Sequence, residues 1–209
     1  MTEPLVIGAT EGDAGVACVL IHGRGQTPED MAEIARAAGV AACRFVLPRA
    51  AGKSWYAAKA VDPMTVETEG QLAASLAQVG AAVAMAQAWG RPVLVAGFSQ
   101  GACMAAEFAL RVARPDALCL FTGCRVGRAE GALPSLRGLP VYASCGDDDP
   151  WIPLTDFTLA VQDFARGGAR VRTDIFPGRP HAVSATEVAT LARMLADLAA
   201  GGVPLEADR

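Results

Sequence analysis

The chemistry-bearing stretch of the chain is Gly97-Phe98-Ser99-Gln100-Gly101, a serine flanked two residues away on each side by glycine. It follows an apolar run, Val93-Leu94-Val95-Ala96, and opens a helical pattern. A G-x-S-x-G segment between strand and helix is a nucleophile elbow: the serine sits on a strained turn, and side chains at the glycine positions would collide with adjacent backbone. The helix that follows aims its free N–H groups and dipole at the site, favouring developing negative charge.

A serine hydroxyl needs a general base to become nucleophilic near neutrality. In this strand–turn–helix context the chain order is serine, then an acid, then histidine. The chain has two histidines, and His22 precedes Ser99, so His181 is the candidate base. It lies on a loop, Phe176-Pro177-Gly178-Arg179-Pro180, after the last predicted strand. The orienting acid should end the preceding strand, Val141-Tyr142-Ala143-Ser144-Cys145, which leads into Gly146-Asp147-Asp148-Asp149-Pro150. The loop by itself does not separate Asp148 from Asp149, and the unused acids suit hydrogen bonds to loop N–H groups. Asp163 and Asp174 fall inside predicted elements and are weaker candidates.

Acyl transfer passes through a tetrahedral oxyanion that needs two aimed donors. The N–H of Gln100, just after the nucleophile, is one. The other is expected from the loop after an early strand, where Leu20-Ile21-His22-Gly23-Arg24-Gly25 offers the Arg24 N–H between two glycines. His22 is then a structural residue that shapes the loop, and the Arg24 side chain a solvated charge or a loop brace in preference to a binder of an anionic substrate group. Gly23-Arg24-Gly25 is no dinucleotide fingerprint, because Pro28 stands where the third glycine belongs.

The elements that position these residues read as an α/β fold. Strands are predicted near Leu5–Gly8 and at Val16–Ile21, Arg44–Leu47, Val93–Gly97, Ala117–Phe121, Val141–Cys145 and Arg170–Phe176. Helices are predicted at Pro28–Ala38, Gly70–Ala88, Gln100–Ala113, Leu154–Arg166 and Thr186–Ala199. Gly39, Gly90 and Gly167 stand where helix C-caps belong. Strands alternating with helices predict a mostly parallel central sheet with helices on both faces. The 209 residues fit one domain, 1–209. The stretch at about 48–69 is long for a structureless connection, and a substrate-shaping loop is the expectation there.

Composition excludes other classes. Hydrophobic residues make up 52 % of the chain, much of it alanine, and no window carries the ~20 apolar residues of a membrane helix. No basic segment followed by an apolar core marks a signal peptide, so a cytoplasmic location is expected. The net charge of −4 is dispersed, with no basic stripe for nucleic acid. The six cysteines form no C-x-x-C pair and read as buried, reduced packing residues, Cys103 among them. No metal site and no organic cofactor are implied.

Together these blocks resemble the phospholipase/carboxylesterase family of small α/β-hydrolases, which includes bacterial carboxylesterases and acyl-protein thioesterases. The resemblance spans nearly the whole chain. It rests on the blocks around His22, Ser99 and His181, on Ala51-Gly52-Lys53-Ser54-Trp55-Tyr56, and on Gly146-Asp147-Asp148-Asp149-Pro150-Trp151-Ile152-Pro153. It implies Asp149 as the catalytic acid, and an aromatic loop that puts Trp55 and Tyr56 beside the acyl pocket; packing that loop onto the domain is an equal role for both. Two departures stand out. Arg179-Pro180 replaces the small or apolar residues usual before the histidine, which would place Arg179 at the pocket mouth, and Val61–Glu69 does not align.

The function these observations imply is a serine hydrolase that cleaves carboxylic esters or thioesters of small or medium acyl groups through an acyl-enzyme. The expected partner is a small-molecule substrate; a homodimer stays open. Dienelactone-hydrolase-like cleavage of a cyclic ester is the competing chemistry, disfavoured by serine where cysteine is usual. A catalytically inactive binding module is the competing class, and it would be favoured by a missing triad residue; none is missing.

Overall fold

The computed structural model describes residues 3–127 and 132–206. Seven strands form one sheet in the order β1-β3-β2-β4-β5-β6-β7: β1 Leu5–Gly8, β2 Val16–Ile21, β3 Cys43–Leu47, β4 Val93–Phe98, β5 Ala117–Phe121, β6 Pro140–Gly146 and β7 Arg170–Phe176. Only β1 runs antiparallel, pairing Leu5 with Leu47. The others are parallel, with Ile21 opposite Gly97 and Phe98 opposite Phe121 at the end that carries the site. Among the described residues five α-helices accompany them, four between strands and the last after β7: α1 Pro28–Ala38, α2 Val66–Gln87, α3 Gln100–Arg111, α4 Leu154–Arg166 and α5 Ala185–Ala199.

Strand alternation divides the core into two layers. Ala17, Val19, Ile21, Val93 and Val95 point into the layer shared with α2, α3 and α4. Val16, Cys18, Leu20, Leu94 and Ala96 point into the layer shared with α1 and α5. A one-residue slip would exchange the two sets, so the apolar runs fix the register wherever both faces are covered. The chain leaves β2 in one direction to make β3 and returns on its other side to make β4. That reversal opens a crevice beyond the carboxyl ends of β2 and β4, where ligands bind in open parallel sheets.

Local signals account for most helix ends. Pro28 occupies the first position of α1, and the Thr27 N–H donates to the Asp30 carboxylate at 2.7 Å. Gly39 closes α1 in the left-handed conformation, φ 65°. Two expectations are corrected. Helix α2 starts at Val66 rather than Gly70, because the Thr65 hydroxyl caps it by accepting the Thr68 N–H at 3.1 Å. The C-cap of α2 is Ala88 rather than Gly90, which lies two residues further on at φ 65°. Gly167 caps α4 as expected, at φ −70°, and Gly168 takes the left-handed turn after it at φ 88°. Among the described residues no helix is long and apolar enough to cross a membrane.

Candidate active site

Ser99 joins β4 to α3 with φ 56° and ψ −123°, outside the regions open to an unstrained L-residue. The two glycines make this turn passable. A Cβ on Gly97 would lie 2.3 Å from the Gly101 carbonyl, and one on Gly101 would lie 2.1 Å from the Ile21 oxygen. The Ser99 N–H donates to the Phe121 oxygen at 2.9 Å, which fixes the turn to the end of β5.

His181 reaches this serine from the loop after β7. Its Nε2 lies 2.8 Å from Ser99 Oγ, and its Nδ1 lies 2.7 Å from Asp149 Oδ2. The Phe98 ring packs against the imidazole at 4.9 Å. The other carboxylate oxygen of Asp149 accepts the N–H groups of Trp151 at 2.8 Å and Ile152 at 3.0 Å. With both oxygens engaged and its side chain fully buried, this carboxylate has a fixed orientation. The three consecutive acids are thereby separated. Asp147 accepts the Gly178 N–H at 2.6 Å and ties down the histidine loop, Asp148 is exposed, and Asp149 alone meets His181. Asp163 and Asp174 are occupied elsewhere, by Arg125 and by Tyr142.

The loop after β2 lies against the serine turn. A Cβ on Gly23 would sit 3.2 Å from both Ser99 Cβ and the Phe98 oxygen, a tight fit that glycine avoids. His22 is fully buried and shapes the loop. Its Nε2 accepts the Ala50 N–H at 3.1 Å, which leaves Nδ1 as the donor to the Gly23 oxygen at 2.8 Å. Burial pushes the His22 pKa below its ordinary value, in keeping with a neutral ring. The Arg24 guanidinium braces the next loop by donating to the Ala57 oxygen at 3.0 Å and the Ala58 oxygen at 2.5 Å. Gln100 is the first residue of α3, where a backbone N–H has no intrahelical partner.

Arg24, Tyr56, Lys59, Ala60, Ser99, Gln100, Cys103, Trp151, Ile152 and His181 line one cavity of about 270 Å³. Tyr56 belongs to this wall and Trp55 does not. Trp55 is buried behind it, donating its indole N–H to the His22 oxygen at 2.8 Å, so its part is to pack the loop. The Gln100 side chain latches the same loop, accepting the Trp55 N–H at 2.9 Å and donating to the Tyr56 oxygen at 2.8 Å. Cys103 is inaccessible yet forms part of the wall; hydrogen bonds from the Cys124 thiol and N–H and from the Tyr56 hydroxyl hold its thiol below the ordinary range.

Lys59, Ala60, Trp151 and Ile152 were not picked out by sequence reasoning. The apolar pair Trp151-Ile152, two residues past Asp149, was the available signal. Arg179 is corrected: it turns away from the pocket mouth, pairs with buried Glu187 and donates to the Thr122 hydroxyl at 3.1 Å. All six cysteines are free and buried. Among the described residues no three His, Cys, Asp or Glu side chains cluster as metal ligands.

The sheet order, the strained serine at the end of β4 and the histidine loop after β7 define an α/β-hydrolase. The phospholipase/carboxylesterase family model matches residues 3–198, and the chain belongs to that family of hydrolases. The fold is shared with a phospholipase/carboxylesterase from Dyadobacter fermentans at 29 % identity and TM-score 0.86, covering 94 % of this chain and 97 % of that one. Esterase PE8 aligns at 24 % identity and TM-score 0.77, covering 94 % and 98 %. The carboxylesterase of Bacillus cereus aligns at 17 % identity and TM-score 0.76, covering 93 % of each chain. No curated protein matches the sequence significantly.

Proposed function

We propose that the protein is a serine esterase that hydrolyses carboxylic esters or thioesters of small or medium acyl groups by two acyl transfers. The carrying observation is the unbroken hydrogen-bonded chain from Ser99 Oγ through His181 to buried Asp149. Ser99 Oγ attacks the acyl carbonyl carbon while its proton passes to His181 Nε2. Asp149 holds Nδ1–H and stabilises the imidazolium. The N–H groups of Arg24 and Gln100 receive the oxyanion. Collapse breaks the bond to the alcohol or thiol, which leaves with the proton from His181. Water then gives its proton to His181, attacks the acyl-enzyme, and releases the acid and the serine. The whole cycle uses the chain's own groups and water.

The cavity of about 270 Å³ sits near the lower end of small-molecule pockets, which supports short or medium acyl chains. The protein's partner in this proposal is the small-molecule substrate, and a cytoplasmic site of action follows the sequence reading. The test is intact mass after incubation with a fluorophosphonate, with peptide mapping. One adduct on Ser99, absent from Ser99→Ala, is the expected result. No adduct on folded protein would overturn the assignment and favour the inactive binding module.

A further inference from the structure

The wall of the cavity departs from the rest of the molecule in charge. The chain carries a net charge of −4, yet among the described residues the cavity wall contains no carboxylate and two permanent cations, Arg24 and Lys59. Among the described residues neither charge is paired with an acid. Arg24 donates to a serine hydroxyl and to the carbonyls of Ala57 and Ala58, acceptors without net charge. Its guanidinium lies 5.9 Å from the centre of the Tyr56 ring, which is itself part of the wall. The Lys59 ammonium has no hydrogen-bond or ion-pair partner among the described residues. The carboxylate nearest to it along the chain, Asp62, accepts the Lys59 backbone N–H at 2.9 Å and is not part of the wall. Asp149 is occupied by His181 and two N–H groups.

Such a wall selects by charge. A sphere of 270 Å³ is about 8 Å across, comparable with the ~8 Å screening length at physiological ionic strength. A charge at one end of the cavity is therefore felt at the other, and low-dielectric walls concentrate its field. We infer that the preferred substrate is an anionic ester, one whose acyl or alcohol part bears a carboxylate or comparable anion that meets Lys59 and Arg24 of the cavity wall. This rests on the esterase proposal above and narrows it to a substrate class. Lys59 is the specificity-determining residue, because Arg24 is committed to the loop it braces.

The experiment compares monomethyl succinate with methyl succinamate, esters matched in size that differ by one negative charge. Acid release is followed at pH 7.5 in 20 mM and 500 mM salt. The expected result is a kcat/KM about three- to tenfold higher for the anionic ester at low salt, the range one or two partly screened cations provide. The ratio collapses towards one at high salt. Lys59→Gln lowers it, and Lys59→Glu reverses it. A ratio at or below one in the wild type, or one that ignores both salt and these substitutions, would overturn the inference while leaving the esterase proposal intact. Hydrolysis of neither ester would overturn the inference alone where a fluorophosphonate still labels Ser99, and both proposals where it does not; hydrolysis that survives Ser99→Ala would overturn both.

Discussion

Arg179 and Glu187 form a buried ion pair directly behind the histidine loop. Glu187 is fully buried and also accepts the Ser184 N–H at 2.6 Å at the start of α5, while Arg179 stands two residues before His181. Thr122, at the end of β5, accepts from the same guanidinium. The pair thus clips the loop that carries His181 to both the sheet and α5. Removing one partner strands a buried charge, which costs about 3–5 kcal/mol. Arg179→Met should therefore lower thermal stability by that order. The double variant Arg179→Met/Glu187→Gln should recover much of it, because the stranded charge is gone. If the pair also positions His181, turnover stays depressed in the restabilised double variant while KM changes little. Calorimetry and steady-state kinetics on both variants decide the point.

Replacing single members of the Ser99–His181–Asp149 chain should separate roles from proximity. Ser99→Ala and His181→Ala should each lower kcat by about 10⁴-fold or more, and Asp149→Asn by about 10⁴-fold through the wrong imidazole tautomer. Asp148→Asn should remain near wild type, since that side chain is exposed. Ester hydrolysis by purified variants with matched unfolding temperatures is the measurement. Equal losses at Asp148 and Asp149 would contradict the geometry.

Much of this architecture could be read before the structure, because its determinants are local. The Val93–Ala96 run is apolar on both faces as a covered parallel strand requires, and G-x-S-x-G allows few turns. What escaped was set by contacts distant in sequence. Trp55 was legible as an aromatic near a candidate site, but its placement behind the wall depends on a hydrogen bond to His22, 33 residues away. Arg179 read as a pocket-mouth residue because arginines are seldom buried without a partner, and the loop gives no hint of Glu187. The start of α2 was hidden because exposed Val66 and the acids after it break the apolar period, leaving only the Thr65 cap as a marker. Asp148 and Asp149 differ only in which one the loop directs inward.

The serine turn has no room for side chains at its glycines. Gly101→Ala would place a Cβ 2.1 Å from the Ile21 oxygen, 2.7 Å from the His22 oxygen and next to backbone that cannot rotate away. The substitution should destabilise by about 3 kcal/mol or more, as overpacking against rigid neighbours does, and abolish fluorophosphonate labelling. Gly25→Ala is the contrast. Its Cβ would meet nothing within 4 Å, so only the φ of +75° penalises it, by about 1 kcal/mol. Chemical unfolding of the two variants should therefore give unequal losses despite their both being glycine-to-alanine changes within the site.

His22 gives the fold a component of acid sensitivity with a defined sign. Burial depresses its pKa in the folded protein below the ordinary value of 6.5. Between the folded and unfolded pKa values the unfolded chain therefore binds more protons, and stability rises with pH. The contribution is fully present above about pH 6.5 and is lost as the pH falls through the unfolded value towards the folded one. Protonation would also turn Nε2 from acceptor to donor and break its bond to the Ala50 N–H. His22→Asn removes this titration, so the slope of unfolding free energy between pH 7 and pH 5 should be shallower in the variant than in the wild type. Urea titrations at half-unit pH steps measure both slopes. Identical slopes would mean that His22 takes up its proton equally in the folded and unfolded chains, contrary to the buried, neutral ring that shapes the Gly23–Gly25 loop.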